Sequence, residues 1–94
     1  MEIVWRPSAI EDVEHALAFI GMGNPDAAQR VYAAIADATA GLSDFPERGR
    51  PGRVAGTREI VVTHTPYLIA YVLGDGVLTI LAFLHHARRW PDVL

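Results

Sequence analysis

Ninety-four residues make one domain, with no room for a second core, and a chain this short buries only about 60–65% of its unfolded surface, so a partner would help it. A hydrophobic fraction of 51% excludes a disordered chain, and the absence of cysteine excludes disulfides, thiolate zinc sites and cysteine nucleophiles. The net charge of −3 hides an asymmetry: residues 1–47 hold eight acids against Arg6 and Arg30, whereas residues 48–94 hold three acids and six arginines.

Every base is arginine, whose planar fork suits carboxylate and phosphate. The second half is therefore either an anion-seeking surface or a solvated basic face. The overall acidity argues against strong independent binding to nucleic acid. The longest apolar run, Val77 to Leu84, is strand-sized and far short of the ~18 residues of a membrane span. Glu2 and Trp5 stand where a signal peptide would carry basic charge and then a long apolar run, so the expected location is the cytoplasm.

Glu2 to Trp5 reads as a short strand, ended by Arg6-Pro7 because proline cannot donate to a ladder. Ser8 and Glu11 have the spacing of a capping box. Ile10, Val13, Leu17 and Ile20 then form one helical stripe, which Gly21 and Gly23 stop. Asn24-Pro25-Asp26 restarts a helix: a cap, a residue suited to the first helical position, and an acid at the positive end of the dipole. Ala28, Val31, Ile35, Ala38 and Leu42 form its stripe, and the short connection predicts an antiparallel helical hairpin.

Residues 44–57 are rich in Gly and Pro and read as a loop, with Phe45 plugging the core at the helix end. Arg58 to Thr63 alternates as a strand until Thr65-Pro66. Tyr67 to Leu73 and Val77 to Leu84 flank Gly74-Asp75-Gly76, a hairpin turn. The last strand is apolar nearly throughout and is expected to be central. The order β-α-α-β-β-β predicts an α+β fold for the single domain 1–94, a helical hairpin on one face of a mostly antiparallel four-stranded sheet.

Several pieces, in this order, resemble a known family. They are Trp5, the Asn24-Pro25 helix start with Ala27-Ala28, Phe45-Pro46, Gly49-Arg50-Pro51-Gly52-Arg53, Gly56-Thr57-Arg58-Glu59, Pro66 to Tyr71, and His85-x-Ala87-Arg88-x-Trp90-Pro91. From about Trp5 to Pro91 the chain is similar to ParE-type toxins of the RelE/ParE superfamily. The resemblance implies the toxin of a bacterial type II toxin–antitoxin pair, held in a tight hetero-oligomeric complex by a ParD-like antitoxin. It implies DNA gyrase as target, growth arrest as outcome and toxicity carried by the C-terminal region. No cofactor is expected, and the small size and acidity also fit a non-toxic binding member of the family.

RelE-like relatives cut messenger RNA on the ribosome, which needs a base for the 2′-hydroxyl proton, a cation for the phosphorane and an acid for the leaving oxygen. Here Leu68 stands where RelE-like enzymes tend to carry arginine. There is no lysine, and Trp90 stands near the position of their terminal tyrosine, where indole offers only a donor. Arg88 alone matches. His85, His86 and Arg88 are the candidates for a different RNase chemistry, since histidine trades protons near neutral pH. Adjacent strand residues face opposite sides, so His85 and His86 are expected to diverge, which argues against a metal site.

Arg58, Arg88, Arg89 and Trp90 are the expected target-binding residues, as Trp and Arg are common interface anchors; alternatively Trp90 packs back on the sheet as a lid. Arg48, Arg50 and Arg53 are candidates for binding the antitoxin's acidic tail or DNA, or else form a solvated loop. Tyr67 and Tyr71 share a strand face and read as core. The alanine-rich groove of the hairpin could receive an antitoxin helix.

Overall fold

The computed structural model describes residues 1–88, and its elements run β1 (Glu2–Trp5), α1 (Pro7–Gly23), α2 (Pro25–Asp44), β2 (Arg50–Pro51), β3 (Arg58–Val61), β4 (Tyr67–Gly74) and β5 (Val77–His85). The fold is the expected α+β arrangement, two helices on one sheet. The sheet holds five strands in the order β1-β5-β4-β3-β2. The four strands read from the sequence are all present, and the additional one is the two-residue β2, inside the segment 44–57 read as loop. β1 runs parallel to β5, and every other pair is antiparallel.

Pro7 opens α1 as its first helical residue after Arg6, which is extended and makes no side-chain cap. Ser8 therefore lies within the first turn, and the S-x-x-E capping box is not formed. The inward face of α1 also differs from the stripe expected. Ala9 is fully buried, with Val13 and Ala16 against the core, while Ile10 is 45% exposed. The reason is Asp12, whose carboxylate Oδ2 accepts the Phe83 backbone N–H at 3.2 Å. β1 ends at Trp5, opposite Ile80, so Phe83 further along β5 has no neighbouring strand on that side. Asp12 supplies the missing acceptor, and so a charged residue is turned toward the sheet.

Asn24 alone separates the helices, and its Oδ1 accepts the Ala27 N–H at 3.0 Å, the cap expected from Asn24-Pro25-Asp26. On α2, Ile35 and Leu42 are buried and Val31 and Ala38 pack on the core, as their spacing predicts, and Ala34 joins them. Phe45, beyond the helix end, is 68% exposed and plugs nothing. Leu42 takes the interior position one turn earlier.

β4 and β5 meet through Asp75 (φ 55°) and Gly76 (φ 77°), two left-handed residues that fit a tight two-residue hairpin. Their register slips between Ala70 and Tyr71, leaving Leu81 as an extra residue on β5. This bulge explains why β5 is apolar nearly throughout. It lets Leu78, Ile80 and Phe83 all face the helices although their numbers do not alternate, while Ala82 and Leu84 join Leu68 and Ala70 in a second cluster. Each large side chain such as Ile69, Leu78 or Ile80 withdrawn from water contributes about 1.5–3 kcal/mol.

Candidate functional site

The arginine-rich segment 48–58 is an ordered strap. Tyr71, fully buried on β4, donates its hydroxyl to the Pro46 carbonyl at 2.8 Å and accepts the Gly49 N–H at 2.9 Å. Arg58 donates to the Glu47 and Gly49 carbonyls at 3.0 and 2.9 Å. Gly49 has to be glycine, because a Cβ there would lie 2.5 Å from the Tyr71 hydroxyl. Arg50 then pairs with Glu59 and Pro51 with Arg58, making a small hairpin. It is closed by Gly52 N–H to the Thr57 carbonyl at 2.8 Å and by the Thr57 hydroxyl to the Val54 carbonyl at 2.6 Å.

Glu59 organises the tip of this hairpin. It is 3% exposed, accepts the Arg53 backbone N–H at 2.9 Å, and pairs with the guanidinium groups of Arg53 at 3.5 Å and Arg50 at 3.6 Å. A carboxylate this deep needs such partners. The rest of the Arg53 fork reaches the C-terminal turn, donating to the Arg88 carbonyl at 2.8 Å and the His86 carbonyl at 3.2 Å.

That turn carries the histidines. The chain leaves β5 at His85, so His86 no longer obeys strand alternation, and the two rings stack with centroids 4.6 Å apart. The expectation that they point to opposite sides is therefore corrected. The Ala87 N–H donates to His85 Nδ1 at 3.1 Å, and His86 Nδ1 lies 3.1 Å from the Pro66 carbonyl, where it donates. Tyr67 meets His85 edge-on at 5.8 Å and stacks on Phe83 at 4.8 Å, so it is core on one side and the start of an aromatic row on the other. Among the described residues, no three His, Asp or Glu side chains are grouped to hold a metal ion.

Of the residues singled out in the sequence, Arg53, His85, His86 and Arg88 come together at the C-terminal turn, and Arg50 joins them through Glu59. Arg58 braces the strap from the helix side. Arg48 lies at the end of α2, with its guanidinium over Gly41 near the carbonyl end of the helix, a favourable place for a cation. Arg89 and Trp90 lie outside the described residues. Strand alternation turns Arg58 and Glu59 to opposite sides, and it is Glu59 that sits among the arginines. Its other signal is being an isolated acid among the arginines of the second half. Leu68, expected from the resemblance to stand where RelE-like enzymes tend to carry arginine, is 1% exposed within the aliphatic cluster of Ala70, Ala82 and Leu84.

A second surface lies between α2 and β3, a groove of about 750 Å³ floored by Val31, Ala34, Ala38 and Ile60, with Arg30, Arg48 and His64 among its lining. No helix among the described residues is long and apolar enough to cross a membrane.

Comparison with known proteins gives a consistent picture. Residues 3–90 match the model of the family described as the ParE toxin of the type II toxin–antitoxin system parDE. The chain is 40% identical over 92 residues to Y4kP of Sinorhizobium fredii, covering 98% of this chain and 95% of that one. It is 38% identical over 87 residues to toxin RelE2 of Caulobacter vibrioides, covering 93% and 97%. In structure it is similar to a chain of the chromosomal ParDE toxin–antitoxin system from P. aeruginosa, with a TM-score of 0.81 over 90% of this chain and 95% of that one, at 19% identity.

Proposed function

The chain belongs to the ParE toxin family of type II toxin–antitoxin systems, and from that premise we propose that it arrests bacterial growth by binding a DNA gyrase–DNA complex and holding it in its cleaved state. The observation that carries this reading is the aliphatic centre of the sheet face opposite the helices. Leu68, Ala70, Ala82 and Leu84 are all buried there, and none can move a proton or stabilise a phosphorane. The functional groups stand at the rim instead, on the strap and the C-terminal turn, where charged and aromatic side chains suit grasping a partner. Arg58, Arg88, Arg89 and Trp90 are the target-binding residues of this proposal. Expression of the chain by itself should induce the DNA-damage response while translation continues. Early loss of ribosome-bound messages without DNA damage would overturn it.

One observation favours the RNase reading as the second: His85 and His86 stack at the same turn whose Arg88 carbonyl Arg53 holds. That reading requires Ala substitution of His85, His86 and Arg88 to abolish cutting of ribosomal mRNA, and it ends if the wild-type protein cuts none.

The antitoxin reading rests on the groove between α2 and β3. Its floor of alanine, valine and isoleucine fits the apolar face of an amphipathic helix, and Arg30 and Arg48 fit acids along that helix's border. The ParDE likeness supports a ParD-like partner encoded beside this chain, bound in a tight hetero-oligomer. Arg50 and Arg53, further along the strap, would meet the antitoxin only if it continues past β3. The domain acts in the cytoplasm, where gyrase and DNA are.

A further inference from the structure

We propose that Arg53 and Glu59 form a latch that sets the position of the C-terminal turn, making Arg53 a positioning residue for target engagement; this rests on the growth-arrest reading above. The geometry is specific. One guanidinium spans three acceptors: the Glu59 carboxylate through Nε at 3.5 Å, the Arg88 carbonyl through Nη1 at 2.8 Å and the His86 carbonyl through Nη2 at 3.2 Å. Glu59 is buried and also holds the Arg53 backbone N–H at 2.9 Å, so the backbone and the Nε of the arginine are held by the same carboxylate. The Gly52–Thr57 closure keeps the hairpin tip from swinging away; a Cβ at Gly52 would collide with the Thr57 side chain.

What the latch grips is the backbone at the point where β5 has ended. Beyond His85 the turn is kept by the Arg88 N–H to the His85 carbonyl at 2.9 Å, and it is tied at its start by the His86 N–H to the Pro66 carbonyl at 2.8 Å. His86, Ala87 and Arg88 are all exposed, so little apolar burial anchors them. The two carbonyl bonds from Arg53 are charge-assisted and planar, and they reach across 33 and 35 residues of sequence. They fix the carbonyl of Arg88, the last residue before Arg89 and Trp90 continue the chain. A turn bearing Arg88 that must meet its target in one orientation gains from a fixed backbone, because ordering it in advance lowers the cost of binding.

A lysine at this position would keep the charge but could not hold a carboxylate and two carbonyls in one plane. The test compares wild type, Arg53→Ala and Arg53→Lys in the full chain, by amide hydrogen exchange and by the inducer dose that arrests growth. In both variants the Arg88 amide should exchange at least about tenfold faster while core amides such as Tyr71 and Ile80 keep their protection. The arresting dose should rise about tenfold at equal protein level. Unchanged exchange at Arg88 in Arg53→Ala, or wild-type behaviour of Arg53→Lys, would overturn the latch. Faster exchange with an unchanged arresting dose would overturn the positioning role. Should the wild-type chain fail to arrest growth, the growth reading falls, and the exchange comparison still decides whether the latch exists.

Discussion

The hydroxyl of Tyr71 accepts the backbone N–H of Gly49 at 2.9 Å, tying the centre of the sheet to a loop 22 residues earlier in the chain. The same hydroxyl donates to the Pro46 carbonyl, so one buried oxygen satisfies two backbone groups of a segment without regular structure. Tyr71→Phe keeps the ring and removes both bonds. It should cost about 1–3 kcal/mol, the range for leaving buried polar groups unpaired. Urea unfolding measures it, and an unchanged midpoint would show that the strap holds without the tyrosine.

Asp12 likewise satisfies a backbone group far away in sequence, the Phe83 N–H. Asp12→Ala removes the acceptor for a strand N–H that β1 does not reach. The expected loss is about 1 kcal/mol, with faster exchange of the Phe83 amide and the helical content preserved. Equal exchange rates would mean that water serves the N–H as well as the carboxylate does.

These two contacts mark where reading the sequence stopped. The helices were legible because Asn24-Pro25-Asp26 carries its capping chemistry locally, and the stripe on α2 obeys helical spacing. The strands were legible from β-branched runs and the Gly74-Asp75-Gly76 turn. The rotation of α1 was not, because Asp12 turns inward for a partner 71 residues away. Nor was β2, a two-residue strand containing proline, formed because Glu59 and Arg58 lie opposite. Phe45 was misplaced because apolar character at a helix end says nothing about which side faces the core. His85 and His86 were misplaced because alternation holds only while the strand lasts. The basic C-terminal turn was visible as composition; its organiser, Glu59, became visible only when three-dimensional contacts brought Arg50 and Arg53 to it.

The groove between α2 and β3 predicts where the antitoxin binds. Ala33 lines it and is exposed, so the fold tolerates a larger side chain there. Ala33→Trp should weaken the complex with the neighbouring antitoxin at least about tenfold, the order expected for a blocked apolar pocket. Titration calorimetry gives the answer, and unchanged affinity would move the antitoxin to another face.

Phe19 and Met22, 77% and 86% exposed at the tip of the helical hairpin, make an apolar end that a free chain presents to water. The double variant Phe19→Ser, Met22→Ser should remain soluble at higher concentration than wild type, with an unchanged circular dichroism spectrum. Light scattering on matched samples would contradict this if both aggregate alike.

Reversal of charge at the C-terminal turn bears on target binding. Arg88→Glu leaves the backbone carbonyl that Arg53 holds and changes only the side chain. The dose needed for growth arrest should rise at least about tenfold, in line with loss of an interface arginine. An unaltered dose would remove Arg88 from the target-binding set.

The most direct measurement is a supercoiling assay with purified DNA gyrase and the full chain freed of antitoxin, run beside a ribosome–mRNA cleavage assay at the same concentrations. The account predicts inhibited supercoiling with accumulation of gyrase-cleaved DNA, and intact message. Cleaved message with gyrase unaffected would contradict it.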